Sequence, residues 1–192
     1  KKIEIKSSFY YIRLNNAIIR SNGFFNNQDS IIYDGIKSRV QTLNNGGKAF
    51  VIGLSNNLKI KLNNNLTLQN SISYNTSKDL LNERPLRHSP PLFGKISLSF
   101  KKKSLKLSYH IDYNGRKKII DFSQSELNKL YLYTKDGSPS WITHNLLLNY
   151  DYNYFIKFNI SIDNIFDIHY RTYSSGISAP GRNINLGLNF KF

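Results

Sequence analysis

The stretch NINLGLNFKF, Asn183 to Phe192, decides the fold, because apolar and polar residues alternate along it. A period of two sends successive side chains to opposite faces of a β-strand. One face of this strand carries Ile184, Leu186, Leu188, Phe190 and Phe192, and the other carries Asn183, Asn185, Asn189 and Lys191. The segment therefore predicts a strand with one apolar and one polar face.

The same alternation recurs along most of the chain. Further strands are predicted on it at Ile3 to about Leu14, Ala49 to Leu62, Leu66 to Thr76, Lys95 to Lys101, Leu105 to Asn114, Thr143 to Tyr150 and Phe155 to Asn164. The stretch from Ile31 to Val40 is a weaker candidate, which either forms a strand or extends the next one. Helix signals are weak, and only Ser123 to Tyr133 favours a short helical turn. An all-β protein of about eight strands is predicted.

The predicted connections between these strands alternate in length. Short turns fall at Asn63 to Asn65, Lys102 to Ser104 and Asp151 to Asn153. Long loops fall at Ser21 to Ser30, Ser77 to Phe93, Gly115 to Trp141 and Ile165 to Arg182. Outer-membrane β-barrels have short periplasmic turns and long extracellular loops. The pattern therefore predicts an antiparallel transmembrane β-barrel in the cell outer membrane rather than a soluble sandwich.

The hydrophobicity of the chain is compatible with that fold. Mean hydropathy is -0.44, and 40% of the residues are hydrophobic. The longest apolar runs, such as Leu146 to Leu148, are far shorter than the roughly 20 residues that a spanning helix needs. A spanning strand needs only about 9 to 11 residues, of which every second one faces lipid. Low mean hydropathy therefore does not exclude a membrane protein.

The chain is strongly basic, with 27 Lys and Arg residues against 12 Asp and Glu and a net charge of +15. In a soluble domain this balance favours nucleic-acid binding. Here basic clusters at Lys101 to Lys103 and Arg116 to Lys118 lie at the ends of predicted strands. They are solvated turns, or contacts to phosphates of lipid and lipopolysaccharide, or nucleic-acid contacts. The chain has no cysteine, which excludes disulfides, thiolate chemistry and cysteine-based metal sites.

The last 29 residues carry a resemblance to a known family. Asn164-Ile165-Phe166-Asp167, Tyr170-Arg171 and Gly181-Arg182, followed by the final strand, resemble the C-terminal end of TonB-dependent outer-membrane receptors. The segments Asn44 to Gly53 and Pro85 to Gly94 are also similar to parts of that family. The similarity extends over most of the chain, and the C-terminal motif is its specific part.

The resemblance implies a fold larger than this chain. Such receptors are barrels of roughly 22 strands, plugged by an N-terminal globular domain. Residues 1–192 would be the C-terminal part of the barrel domain, without the plug. The implied function is energised uptake of a scarce nutrient, a ferric siderophore or haem in the first place, with cobalamin also open. No resident cofactor or metal is implied.

The implied partners follow from the same resemblance. They are outer-membrane lipid and lipopolysaccharide, the barrel-assembly machinery, the TonB complex through the missing N-terminal part, and a small iron chelate or haem. Nucleic acid is not expected. Phe192 would be the signal for barrel assembly.

Candidate ligand-binding residues lie in the long loops. Arg84 and Arg87 offer planar guanidinium groups to an anionic ligand, and His88 and His169 offer imidazoles to iron or a chelate. The alternatives are a salt bridge to Glu83 for the arginines and simple solvation for the histidines. A structural role in the last loop is expected for Asn164, Phe166, Asp167, Tyr170, Arg171, Gly181 and Arg182. His144 is also expected in or near a loop, and His110 on the polar face of a strand.

Other functional classes are weighed against this one. No recognised nucleophile pattern surrounds Ser138 or Ser174 in the sequence, so no catalytic residues and no enzyme activity are predicted. A small autonomous outer-membrane barrel with an adhesin or structural role would also explain the strands. A soluble basic β-sandwich that binds nucleic acid would explain the charge, but not the alternation of short and long connections.

Overall fold

The computed structural model describes residues 2–81 and 83–192. Its main feature is an antiparallel sheet of eight strands. The strands of the chain are β1 Lys2–Asn22, β2 Ser30–Tyr33, β3 Ile36–Arg39, β4 Gln41–Lys61, β5 Leu66–Asp79, β6 Phe93–Lys102, β7 Leu105–Asn114, β8 Trp141–Asp151, β9 Ile156–Asp163 and β10 Asn183–Phe190. The all-β, antiparallel class predicted from the sequence is confirmed.

The strands of the main sheet follow one another as a meander. Their order is β1-β4-β5-β6-β7-β8-β9-β10, so β1 and β10 lie at its two edges. Because neighbouring strands are antiparallel, the loops at 80–92, 115–140 and 164–182 leave the same end of the sheet. We call this the loop end, and the opposite end, with its short connections, the turn end. The three loops are named loop A, loop B and loop C in chain order.

The segment between β1 and β4 forms a hairpin of its own. Strands β2 and β3 pair with each other and not with the main sheet. Their turn has positive φ angles at Asp34 (52°) and Gly35 (74°), which is the geometry that matches hairpin twist. The prediction that Ile31 to Val40 is a single strand or an extension of the next one is therefore wrong. The Asp-Gly pair was the signal for the turn.

Two strands are longer than the alternation predicted. Both β1 and β4 have 21 residues, and they stay paired from Lys2↔Lys61 to Asn22↔Gln41. A register irregularity lies between Leu14 and Ala17. Backbone pairing therefore continues beyond the region where side chains alternate. By contrast, β7 has the predicted bounds, Leu105 to Asn114.

The sheet has one apolar and one polar face, as the register shows. Apolar residues oppose each other across neighbouring strands, for example Ile5↔Leu58 and Leu186↔Ile160. This face is exposed, and Leu186 on it is 77% exposed. Among the described residues, only Ala49 and Phe122 are buried hydrophobic residues. Such a large apolar surface requires an apolar environment or partner.

Polar contacts interrupt the apolar face at two places. On β1 and β4, the Asn56 amide donates a 2.7 Å hydrogen bond to Ser7 Oγ. On β7 and β8, the Tyr109 hydroxyl lies 2.5 Å from His144 Nδ1. His144 is thus the fourth residue of β8 and lies on the apolar face, close to the loop end where it was predicted. The imidazole is tolerated on the apolar face because Nδ1 has a hydrogen-bond partner in the Tyr109 hydroxyl.

Helical structure is confined to loop B. It consists of a short helix, α1 Gln124–Leu127, and 3₁₀ turns at Ile119–Asp121 and Leu130–Leu132. The helical turn predicted within Ser123 to Tyr133 is present. In residues 2–81 and 83–192, no helix has the length and apolarity to cross a membrane.

Candidate ligand site at the loop end

Loop B folds back on itself around one aromatic side chain. Phe122 is fully buried, with its ring centroid 4.6 Å from that of Tyr133 and 5.6 Å from that of Tyr173. Tyr133 belongs to loop B, whereas Tyr173 comes from loop C. Tilted aromatic contacts of this kind stabilise beyond the area that they bury. Phe122 therefore forms a small core that joins two loops above the sheet.

A buried lysine adds loop A to this core. The Lys117 ammonium donates a hydrogen bond to the backbone carbonyl of Ser89 and lies 4.7 Å from the centroid of the Tyr173 ring. Burial lowers the pKa of Lys117, and the carboxylates of Asp121 and Glu126 act in the opposite direction. The ammonium thus links all three loops through a carbonyl and a ring face.

Glu126 is the second point where the three loops meet. Glu126 is 3% exposed. Its carboxylate accepts one hydrogen bond from the Tyr133 hydroxyl and another, of 2.5 Å, from the Ser174 hydroxyl. The Ser174 oxygen also lies 2.9 Å from Nδ1 of His88 in loop A. Burial by itself raises the pKa of Glu126, but the bonds from Ser174 and Tyr133 outweigh it and hold the pKa below its ordinary value. Burial and the nearby Glu126 raise the pKa of Tyr133.

The order of contacts shows that this is not a nucleophile triad. In a triad the carboxylate orients the imidazole, and the imidazole accepts the serine proton. Here Ser174 donates its proton to Glu126, so the remaining contact is an N–H of His88 donating to Ser174. The imidazole is therefore not placed as a base for Ser174. We name the group of His88, Glu126, Tyr133 and Ser174 the loop-joining cluster.

Asn164 organises the start of loop C. Its side chain accepts a bond from the Ile168 N–H at 2.9 Å and donates to the Ile168 carbonyl at 2.8 Å. Its own N–H donates to Asn145 Oδ1 of β8 at 2.8 Å. Asn164 and Asp167 both have positive φ, of 51° and 54°, which Asn and Asp tolerate better than most residues.

The end of loop C is fixed by Asp167. Its carboxylate accepts a 2.7 Å bond from the backbone N–H of Arg182, whose guanidinium donates to the Ile165 carbonyl at 2.9 Å. A Cβ at Gly181 would lie 2.5 Å from Asp167 Oδ1.

Arg171 donates to the Leu132 carbonyl at 2.7 Å and so ties loop C to loop B. The structural role expected for these motif residues stays a prediction, with geometry that favours it. Phe166 of the same motif packs edge-on against His144, at 4.9 Å between ring centroids.

A groove runs between loop B and loop C, beside the start of β8. It has a volume of about 570 Å³, and its lining combines Trp141, His169, Tyr170 and Arg171 with mainly apolar and small residues. The rings of Trp141 and Tyr170 are 4.3 Å apart. The Trp141 indole N–H is buried and has no hydrogen-bond partner among the described residues. Burial, with Asp112 and Asp163, raises the pKa of Tyr170. Such a lining suits a planar or aromatic ligand that accepts hydrogen bonds.

The four predicted ligand-binding residues do not form one site. His88 belongs to the loop-joining cluster, and His169 lines the groove with Nε2 3.0 Å from Ser178 Oγ. The backbone carbonyl of Arg84 accepts a bond from the Asp79 N–H, and Arg87 is exposed. The salt bridge considered between Glu83 and the arginines is absent, because Glu83 pairs with Lys78 at 3.4 Å. Ligand binding by these four residues stays a prediction.

His110 lies where the sequence predicted it, whereas three residues of the site were not predicted. His110 lies on the polar face, with Nε2 3.6 Å from Asp112 Oδ2. Glu126, Tyr133 and Trp141 were not predicted as site residues. In the sequence Glu126 is only one of three acids in loop B, with Asp121 and Asp136, and nothing there singles it out. Among the described residues, no group of three His, Asp or Glu side chains could hold a metal ion.

The fold has clear relatives among solved structures. The copper transporter OprC aligns with 100% of this chain and 29% of its own, at a TM-score of 0.78 and 17% identity. The FrpB iron transporter from Neisseria meningitidis aligns with 99% of this chain, at 0.70 and 14%. The siderophore receptor PirA from Acinetobacter baumannii aligns with 99%, at 0.72 and 18%. No protein-family model and no curated protein sequence matches the chain.

These likenesses concern the fold. The chain spans 29% of the length of OprC and of FrpB, and 30% of that of PirA. The outer-membrane location predicted from the sequence agrees with this fold. The three solved structures are described as transporters or receptors, and the absence of enzyme activity in this chain stays a prediction. The chain therefore has the fold of part of the β-barrel of TonB-dependent outer-membrane receptors, as its sequence resemblance predicted.

Proposed function

We propose that the chain is part of an outer-membrane receptor for energised uptake of a ferric siderophore or haem. The observation that carries the proposal is the groove at the loop end, which is lined by Trp141, Tyr170, His169 and Arg171. Ferric catecholates are anionic and aromatic, and haem is planar with two carboxylates. Aromatic rings and a guanidinium match both kinds of ligand.

The proposed architecture is a barrel of roughly 22 strands. The edge strands β1 and β10 support it, because each has a neighbour on one side only within the described sheet. Lipid does not tolerate an open sheet edge, and in this proposal further strands cover both edges. In this proposal the apolar face contacts outer-membrane lipid, loops A to C lie outside the cell, and Phe192 is read by the barrel-assembly machinery. The TonB complex would act through a part of the receptor outside residues 1–192.

The test uses the fluorescence of Trp141, which is the only tryptophan of the chain. A ferric catecholate, a ferric hydroxamate and haemin are titrated separately into the protein in detergent, and quenching of the emission is recorded. We expect one class to quench saturably, and the matching iron-free chelator or metal-free porphyrin to bind more weakly.

The test variant is His169→Ala, which changes the groove and keeps the fluorophore Trp141. It should weaken the binding of that class about tenfold, as expected for one lost polar contact. Lys135→Ala, at an exposed residue of loop B outside the groove, is the matched variant and should leave binding unchanged. Absence of saturable quenching by all three classes would contradict the proposal and favour an adhesin or structural role.

A further inference from the structure

A patch of five lysines lies on the polar face at the turn end of the sheet. A recess of about 610 Å³ is lined by Lys2, Lys59, Lys61, Lys101 and Lys106, together with the amide side chains of Asn63, Asn64, Asn65 and Gln69. The lining contains no acidic residue. We call these five residues the lysine patch. It lies at the opposite end of the sheet from the groove and takes no part in the function proposed above.

The register places lysines directly opposite each other. Lys2 pairs with Lys61 across β1 and β4, and Lys101 pairs with Lys106 across β6 and β7. Like charges that face each other across an antiparallel ladder destabilise it. Two such pairs in one recess are therefore a cost to the isolated sheet, and a bound anion would offset it.

Acids close to the patch are already engaged. Glu4 lies opposite Lys59 and also attracts Lys59 and Lys2, while its carboxylate is 3.0 Å from the Lys6 ammonium. Asp151 lies near the end of β8, and its carboxylate is 3.2 Å from the Lys157 ammonium. Two carboxylates, each with a closer lysine partner outside the patch, do not neutralise its five positive charges. The charge of the patch is thus available to a molecule outside the described chain.

The size of the patch indicates the kind of anion. Its lysines come from β1, β4, β6 and β7, and with the intervening β5 they span five neighbouring strands. At about 4.8 Å between strands, the span is roughly 19 Å. A single phosphate is too small to contact lysines at both ends of that distance. A chain of several negative charges can do so, and the amides between the lysines can bond to peptide groups.

We propose that the lysine patch binds an acidic polypeptide segment, with several Asp or Glu side chains along an extended stretch. Lipid is excluded as the occupant, because the patch is on the polar face and the apolar face is on the other side of the sheet. Carboxylates spaced along a strand reach Lys2 and Lys61 at one end and Lys101 and Lys106 at the other. Such binding weakens as salt rises.

The test measures the binding of a fluorescent hexaglutamate peptide to the protein in nonionic detergent, by anisotropy. We expect saturable binding at low salt that weakens at high salt, and no binding of a hexaglutamine peptide. The triple variant Lys61→Gln, Lys101→Gln, Lys106→Gln should bind about tenfold more weakly. The matched triple variant Lys37→Gln, Lys118→Gln, Lys135→Gln has the same net charge and should bind within about twofold of the unchanged protein.

Three results would overturn the proposal. They are no binding of hexaglutamate, equal loss in the two triple variants, and complete displacement of the peptide by inorganic phosphate at a concentration equal to that of the peptide. The variant Lys106→Glu separates loss of binding from loss of folding, because it converts the facing pair Lys101 and Lys106 into an ion pair. It should raise the thermal stability of the sheet and still weaken peptide binding.

Discussion

Nδ1 of His88 lies 2.9 Å from the hydroxyl of Ser174, although 86 positions separate the two residues along the chain. The hydroxyl also donates to Glu126, so three loops that leave different strand pairs meet at one oxygen atom. Loops joined in this way move together, because opening one breaks bonds to the other two. The loop end is therefore a single folded unit on top of the sheet.

The Glu126 carboxylate should make this unit sensitive to acid. Its pKa in the folded protein lies below the ordinary 4.5, because the bonds from Ser174 and Tyr133 outweigh the effect of burial. Its contribution is thus complete above pH 4.5 and is lost as the pH falls through the lower folded value. We expect loops A to C to become protease-sensitive in that range. Glu126→Gln should be sensitive already at neutral pH, at a cost of about 1–3 kcal/mol.

The control for this experiment is Asp136→Asn, an exposed carboxylate in the same loop. It should leave the proteolysis profile unchanged at all pH values. An equal effect of both substitutions would show that the general charge of loop B, and not the carboxylate at the junction, sets the acid sensitivity.

Phe122→Ala should loosen loops B and C without unfolding the sheet. The ring is fully buried between Tyr133 and Tyr173, and its removal leaves a cavity that costs about 3–5 kcal/mol. Hydrogen exchange should accelerate at 115–140 and 164–182 and stay slow in β6 and β7. Tyr131→Ala, at a side chain that is 82% exposed, should change exchange by less than about 0.5 kcal/mol. Faster exchange throughout the sheet would contradict the prediction.

Gly181→Ala should release the end of loop C. The new Cβ would meet Asp167 Oδ1 at 2.5 Å, and that oxygen already accepts the Arg182 N–H. Moving the carboxylate away breaks a charge-assisted bond, at about 1.5–3 kcal/mol. The lower stability of loop C is measured by exchange of the Arg182 amide. Gly176→Ala in the same loop has open space around the added methyl group and serves as the control.

Lys101→Gln should stabilise the sheet, because it removes a charge that faces Lys106 across the ladder. The gain is about 0.2–1 kcal/mol and should shrink as salt rises. Lys95→Gln, on the same strand, removes a partner that lies 3.2 Å from the Asp112 carboxylate and should instead destabilise slightly. Thermal unfolding of the two variants at low and high salt checks the opposite signs. A loss of stability in both would refute the prediction.

The alternation of apolar and polar residues predicted the strands well where one face of the sheet is apolar and the other is polar. Leu105 to Asn114 was predicted to the residue, because every second side chain there is apolar. The outer parts of β1 and β4 were missed, since polar side chains occur on both faces while the backbone still pairs, as at Ile18↔Asn45. Side-chain patterns report the surroundings of a strand. They do not report how far its hydrogen bonds continue.

The loop contacts were beyond reach of the sequence for a different reason. His88 and Ser174 meet because loops B and C pack on Phe122 and Lys117 bonds to loop A, and no local pattern encodes the distance between loops. The motif from Asn164 to Arg182 was found only through family resemblance. Once the structure is known, its positive φ angles and side-chain bonds explain why Asn, Asp and Gly stand at those positions.

The meander order of the sheet has a consequence for how such a protein can change. Each strand of the main sheet pairs only with its neighbours in that order, and every connection within the sheet joins adjacent strands. A pair of strands with its turn can therefore be duplicated, lost or exchanged, and the remaining ladders keep their registers. Sheet width can vary by whole hairpins, while each loop is free to diversify on its own base. The fold is in this sense built from interchangeable two-strand modules.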